Sequence, residues 1–151
     1  MEQRYDAIII GTGQAGPPLA VRLGNAGRKV AIIERKRVGG TCVNNGCIPT
    51  KTLVASARAA HVARRGADYG VCIGGDITVD MKAVKARKDR VVAHSAEGLT
   101  KWLRMHKGVE IVLGHARFVG PHAVEVDGRR LEAPQIFFNV GGRASLPDWP
   151  G

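Results

Sequence analysis

The stretch that most constrains this chain lies near its start, Tyr5 to Gly16, and reads YDAIIIGTGQAG. A short apolar run ending in glycines is how a strand buried on both faces enters a tight turn. A helix is predicted next, from about Gln14 to Asn25, with Leu19, Ala20 and Leu23 on one face and Asn25-Ala26-Gly27 closing it. A second buried strand, KVAIIE, then ends at Glu34. Together these make one βαβ half-unit, the opening of an α/β fold built on a parallel sheet.

Gly11, Gly13 and Gly16 form GxGxxG between the predicted strand and the predicted helix, the context that makes this short motif informative. Gly11 permits the tight turn, Gly13 lets backbone approach a pyrophosphate, and Gly16 allows the helix to pack closely on the strand. The N–H groups of the helix start and their partial positive charge suit an anion. At the end of the second strand, the Glu34 carboxylate can accept hydrogen bonds from ribose hydroxyls. The pattern points to a dinucleotide without saying which. Pro17 and Pro18 lack N–H donors, so a helix starting at Gln14 would have weakened first bonds.

Downstream, TLVASARAAHVARR (Thr52 to Arg65) has helical spacing, with Leu53, Ala57 and Ala60 to one side, and stops at Gly66. An irregular segment leads to Asp80, an N-cap residue for a long helix from Met81 to about His106 whose apolar side is Val84, Val91, Val92, Leu99, Trp102 and Leu103. From Val109 to Pro134 the pattern alternates, with a turn signal at Asp127-Gly128, and predicts a small antiparallel meander. QIFFNVGG then reads as another buried strand running into glycines, and Pro147, Pro150 and Gly151 as a domain edge.

The balance of 44% hydrophobic and 24% charged residues is that of a globular chain. No segment is apolar for long enough to span a bilayer, and the start lacks a signal-peptide pattern, so no membrane role and a cytoplasmic location are expected. A net charge of +10 raises the question of nucleic acid, but aromatics are few and scattered, and a solvated or subunit-facing surface is the expected use of the charge. Basicity also suits a dianionic cofactor.

Cys42 and Cys47, five positions apart in GGTCVNNGCIPTK, could be a structural bridge, metal ligands or a redox couple. Reducing compartments disfavour structural bridges. In a regular helix, Cα atoms five residues apart are separated by about 9 Å, beyond the roughly 7 Å a disulfide tolerates. A bridge therefore needs a distorted path, and Asn44-Asn45-Gly46 tolerates one. Pro49 fits the first turn of the following helix, which places Cys47 near a helix N-terminus that favours a thiolate, with Cys42 as the thiol offered to a substrate. A thiol module that holds soft metal ions, or senses oxidation without turnover, is the rival reading. Paired zinc ligands are usually two to four residues apart, however, and a second pair is missing, so no metal site is expected. Cys72 reads as a buried structural thiol.

With IIIGTGQAG, VAIIER, GGTCVNNGCIPTK, GHARF and FFNVGGRASLPDWPG in order, the chain resembles the N-terminal FAD-binding part of the class I pyridine nucleotide-disulfide oxidoreductases. That family includes dihydrolipoamide dehydrogenase, glutathione reductase and mercuric reductase. The resemblance implies a Rossmann-like FAD-binding domain with a parallel sheet, long helices and a small antiparallel β-meander. It implies FAD contacts at Gly11, Gly13, Gln14, Ala15, Gly16, Glu34, Arg35, Gly40, Thr41, Cys47, Lys51, His115, Ala116, Gly141 and Gly142. Among these, Lys51 would sit beside the flavin ring, with Cys47 as the charge-transfer thiol and Cys42 as the interchange thiol.

The implied reaction runs from NAD(P)H through FAD to the Cys42 and Cys47 disulfide, then to a disulfide or metal-ion substrate. NAD(P)H would act as co-substrate through a domain that these 151 residues lack, as they lack the dimerisation domain that makes such proteins homodimers. The chain is therefore expected to be a fragment that does not turn over alone. It also departs from the family at Asn139 and Val140, where Ala-Thr-Gly followed by Ser, Arg and Pro is common and this chain has Asn139, Val140, Gly141, Gly142, Arg143 and Ala144.

Overall fold

The computed structural model describes residues 2–149. In chain order the elements are β1 (Glu2–Arg4), β2 (Ala7–Ile10), α1 (Gly16–Asn25), β3 (Val30–Glu34), α2 (Gly40–Asn44), α3 (Cys47–Arg64), a 3-10 turn (Gly66–Tyr69), α4 (Met81–Met105), β4 (Val109–Leu113), β5 (Arg117–Gly120), β6 (Ala123–Val126), β7 (Arg129–Glu132) and β8 (Gln135–Phe138). They fall into two compact units. One holds the residues up to Gly40 together with those from Leu103 onward, and the other is Thr41–Trp102.

The first unit contains a parallel sheet in the order β4-β3-β2-β8. Its two central strands, AIII and VAIIE, are apolar at nearly every position because both their faces are covered. On one face Ile8, Ala31, Ile33 and Val112 pack with Tyr5, Val124, Val126, Leu131 and Ala133 of the meander side. Ile9 and Ile32, of opposite parity, are fully buried as well, on the side where α1 begins: a Cβ added at Gly16 would lie 3.4 Å from Ile32 Cδ1. Burial of each such isoleucine stabilises the unit by about 2 kcal/mol.

The helix α1 begins at Gly16, two residues later than the spacing predicts. Pro17 and Pro18 consequently stand in the first turn, where N–H groups have no partner inside the helix, and remove no bond. Gly27, at φ +78°, ends the turn that follows.

Two strand expectations are corrected. Val109–Leu113 does not belong to the meander; it is β4, paired in parallel with β3 from Val30↔Val109 to Glu34↔Leu113. The other is that β8 is not buried throughout, since Phe138 is exposed and stacks on Phe118 with ring centroids 5.3 Å apart. Both are edge strands of the sheet, so each is only partly covered. The meander proper is β5-β6-β7, with β1 added in parallel to β7. Between β6 and β7 the two-residue turn is Asp127 (φ +48°) and Gly128 (φ +77°), the paired positive φ values that the Asp-Gly signal predicts.

In the second unit α3 starts at Cys47, with Pro49 in its first turn as the sequence predicts. The side expected to be covered, Leu53 and Ala57, is exposed, and Thr52 is buried instead. The reason is polar: Arg87 Nη1 of α4 donates to Thr52 O (2.9 Å) and Ser56 Oγ (3.2 Å), so α3 presents its Thr/Ser side to α4. Asp80 caps α4 as predicted, its Oδ1 accepting from Lys82 N (2.8 Å) and Ala83 N (3.1 Å). On α4, Val92 and Leu103 are buried, Val84 and Leu99 half-buried, and Val91 and Trp102 exposed. Cys72 is exposed too, in the irregular stretch after the 3-10 turn, where no element covers it. No helix among the described residues is long and apolar enough to cross a membrane. Of the expected domain edge, Pro147 is exposed, while Pro150 and Gly151 lie outside the described residues.

Candidate active site

The glycine turn follows β2 directly. Gly11 has φ +106°, a left-handed value, and a Cβ there would lie 2.2 Å from Asn139 O. Gly16 is equally constrained, since its Cβ would meet Gly11 O at 2.4 Å. Gln14 and Ala15 are exposed at the start of α1. Both outer glycines thus do what the motif requires, at points where an added Cβ would run into backbone.

The carboxylate of Glu34 is fixed beside the turn. Its Oε2 accepts from Thr12 N (3.2 Å) and Thr12 Oγ1 (2.5 Å), and its Oε1 accepts from Lys36 N (2.9 Å). A carboxylate has about four lone-pair positions, so one on Oε1 stays open to a hydroxyl. Thr12 is fully buried, and its Oγ1 also accepts from Gly39 N at 3.0 Å. Gly40, at φ +60°, lies against the turn: a Cβ there would be 2.7 Å from Gly13 Cα. Arg35 is exposed.

Three further segments reach the same end of the sheet. Gly114 N donates to Glu34 O (2.9 Å), which sets His115, exposed, and Ala116, half-buried, next to the acid. Asn139 N donates to Ile10 O (2.9 Å), so β8 delivers Gly141 and Gly142 past the end of β2. Gly141 has φ +71°, both glycines are exposed, and nothing lies within 4 Å of a Cβ at either.

Thr41, Cys42, Cys47 and Lys51 belong to the second unit. The helices α2 and α3 are separated by Asn45 and Gly46, the distorted path that the five-residue spacing demands. Gly46 passes close to the first cysteine: a Cβ there would be 3.0 Å from Thr41 O and 3.4 Å from Cys42 Cα. Cys47 is the first residue of α3 and exposed, Cys42 is half-buried, and Lys51 follows one turn after Cys47 on the surface. The neighbouring Cys47 side chain first, and then partial burial, push the Cys42 thiol above its ordinary pKa. The Cys47 backbone N–H and the Lys51 charge act the other way and are outweighed.

Two residues here carry no signal in the sequence. Thr12 fills a variable position of the motif, and Asn139 is visible only as a departure from a resembled pattern. Asn139 Nδ2 donates to Gly11 O and to Gly13 O, both at 3.2 Å. Among the described residues no group of three or more His, Cys, Asp or Glu side chains is placed to hold a metal ion.

The residues present fit a flavin dinucleotide. The turn has side-chain-free backbone at a helix start for a diphosphate, and a held carboxylate with a free lone pair for a ribose.

Comparison with known proteins bears on the whole chain. Residues 5–151 match the family described as pyridine nucleotide-disulphide oxidoreductase. Dihydrolipoyl dehydrogenase of Acholeplasma laidlawii is 34% identical over 151 residues, covering 100% of this chain and 45% of that protein. Mercuric reductase of Lysinibacillus sphaericus is 34% identical over 150 residues, covering 99% of this chain and 27% of that protein. Among solved structures, the Cu(II) complex of the HOCl-induced flavoprotein disulfide reductase RclA from Escherichia coli superposes with a TM-score of 0.78 at 33% identity, over 99% of this chain and 31% of that one. The chain thus spans less than half the length of these relatives. With a matching family over nearly every residue and the parallel sheet, glycine turn and cysteine pair in place, the chain belongs to the FAD-dependent pyridine nucleotide-disulphide oxidoreductase family.

Proposed function

We propose that this chain is the N-terminal FAD-binding part of a flavin-dependent disulfide oxidoreductase, with Cys42 and Cys47 as its redox couple. NAD(P)H oxidation and homodimerisation belong to sequence outside these 151 residues. The observation that carries the reading is the pair Cys42 and Cys47 on either side of a helix break, where Gly46 passes close to Cys42, in a chain that also holds a dinucleotide turn.

FAD, when bound, supplies acceptance of a hydride from a nicotinamide and onward delivery of the electron pair. The chain's own residues bind and tune. Backbone at Gly13, Gln14 and Ala15 would hold the diphosphate, Glu34 Oε1 would accept from a ribose hydroxyl, and His115 and Ala116 would take the adenine end. Arg35, Gly40, Thr41, Gly141 and Gly142 would be further contacts, and Lys51 would supply a positive charge to the flavin.

With a disulfide substrate, the Cys42 sulfur attacks one substrate sulfur, breaking the substrate's S–S bond and releasing one thiolate. The Cys42 proton leaves first, and the sulfur placed to take it is that of Cys47. Cys47 then passes that proton to the thiolate already released and attacks Cys42, releasing the second thiolate and closing the Cys42–Cys47 bond. Two electrons have passed to the substrate, and the pair awaits reduction.

The test uses the full-length protein. It should purify yellow, and two-electron reduction should raise a long-wavelength charge-transfer band that Cys47→Ser abolishes and Cys42→Ser retains. The reverse pattern would exchange the two roles, and a colourless protein that takes up no flavin would overturn the reading.

A further inference from the structure

Asn139 stands just beyond β8 and reaches back under the glycine turn, where its Nδ2 donates to Gly11 O and Gly13 O at 3.2 Å each. Both partners are carbonyl oxygens, so only the amide nitrogen can face them. Gly13 O also accepts from Gly16 N at 3.0 Å, which occupies both of its lone pairs from the inner side of the turn.

A trans peptide unit points its C=O and its N–H in opposite directions. Holding Gly11 O toward Asn139 therefore turns the Thr12 N–H away, and that N–H is found on Glu34 Oε2 at 3.2 Å. By the same constraint, holding Gly13 O inward turns the Gln14 N–H outward, to the exposed side of the turn. The carboxamide also fills the inner side: a Cβ at Gly16 would be 2.8 Å from Nδ2, and one at Gly13 3.3 Å.

We propose that Asn139 is a positioning residue for the diphosphate of the cofactor, orienting the Gln14 N–H toward it and tethering the turn to Glu34 through the Gly11–Thr12 peptide. The assignment rests on the FAD reading above and deepens it. It gives a purpose to a residue at which this chain departs from the family's common alanine.

The experiment uses the full 151-residue chain, with ADP and adenosine as probes in titration calorimetry and a melting curve for each variant. Asn139→Ala should weaken ADP binding about tenfold, the size of one or two lost hydrogen bonds, and leave adenosine binding unchanged. Asn139→Asp, of the same shape but with oxygens facing two carbonyls, should weaken ADP further. On the unaltered chain, ADP should slow hydrogen exchange at the Gln14 amide and adenosine should not. Equal loss for both probes in step with a lower melting temperature, unchanged ADP affinity in Asn139→Ala, or no Gln14 protection by ADP would each overturn the role of Asn139. Failure of the full-length protein to take up FAD would overturn the FAD reading itself.

Discussion

Thr12 and Glu34, 22 residues apart in sequence, are joined twice: the Thr12 backbone N–H and its Oγ1 both donate to Glu34 Oε2, at 3.2 and 2.5 Å. The same hydroxyl accepts from Gly39 N at 3.0 Å, so one buried side chain ties the glycine turn, the acid at the end of β3 and the loop beyond it. Charge-assisted bonds of this kind are stronger than neutral ones and fix geometry. The carboxylate is held in place before any ligand arrives.

Replacing the hydroxyl by a methyl therefore does two kinds of harm. Thr12→Val removes a donor from a carboxylate and leaves the buried Gly39 N–H without its acceptor, and should destabilise the chain by about 3 kcal/mol. Thr12→Ser keeps both bonds and loses one buried methyl, about 1 kcal/mol. Urea denaturation of the two variants measures the difference, and equal losses would show that the hydroxyl bonds contribute little.

The glycines separate in the same way. Gly16→Ala forces a Cβ to 2.4 Å from Gly11 O, backbone that cannot yield without moving the turn, and should destabilise by about 3 kcal/mol or more. Gly98, inside α4, has nothing within 4 Å of an added Cβ, so Gly98→Ala should stabilise by about 0.8 kcal/mol through helix propensity alone. Thermal melts of the pair test whether close approach, rather than glycine content, is what matters.

The contrast also shows what the sequence makes legible. β2, the turn, α1 and β3 are readable because local periodicity and glycine punctuation coincide there with burial on both faces. β4 and β8 misread because a parallel edge strand is half-covered, and its pattern mimics a meander or a buried run. α3 misreads because an alanine-rich helix has no strong stripe, and a long-range bond from Arg87 selects its Thr52 side. Thr12 and Asn139 are invisible for the same reason: what they do depends on partners 22 to 128 residues away.

For the cysteine pair, a raised Cys42 pKa and the greater exposure of Cys47 give one expectation. In the reduced protein near neutral pH, iodoacetamide should modify Cys47 before Cys42, as read by peptide mass mapping. Cys47→Ala removes the side chain that most raises the Cys42 pKa, so Cys42 should ionise at lower pH and alkylate faster at pH about 8 than in the unaltered protein. A slower Cys42 in that variant would mean that Cys47 does not raise the Cys42 pKa.

The last expectation concerns the polar clasp between the two sheets of the first unit. Tyr5 Oη lies 2.7 Å from Glu110 Oε2, and Arg129 Nη2 donates to Glu110 Oε1 at 3.0 Å. Burial first, then the bond to Glu110, pushes the Tyr5 phenol up to about 12 from 10.0. Burial alone would raise Glu110, but the bonds from Tyr5 and Arg129, with the Arg129 and Lys29 charges, outweigh it and hold Glu110 below its ordinary 4.5. A phenol raised on folding stabilises below its unfolded pKa, and that stability is lost as pH rises from 10.0 through about 12. A carboxylate lowered on folding stabilises above 4.5, and that stability is lost as pH falls through the folded value. Tyr5→Phe removes the first contribution and the part of the second that its hydroxyl supplies. The stability gap between the unaltered protein and Tyr5→Phe should therefore be widest at neutral pH, about 1–2 kcal/mol. It should narrow on both sides, and urea midpoints across the pH range would show a constant gap if the clasp were electrostatically silent.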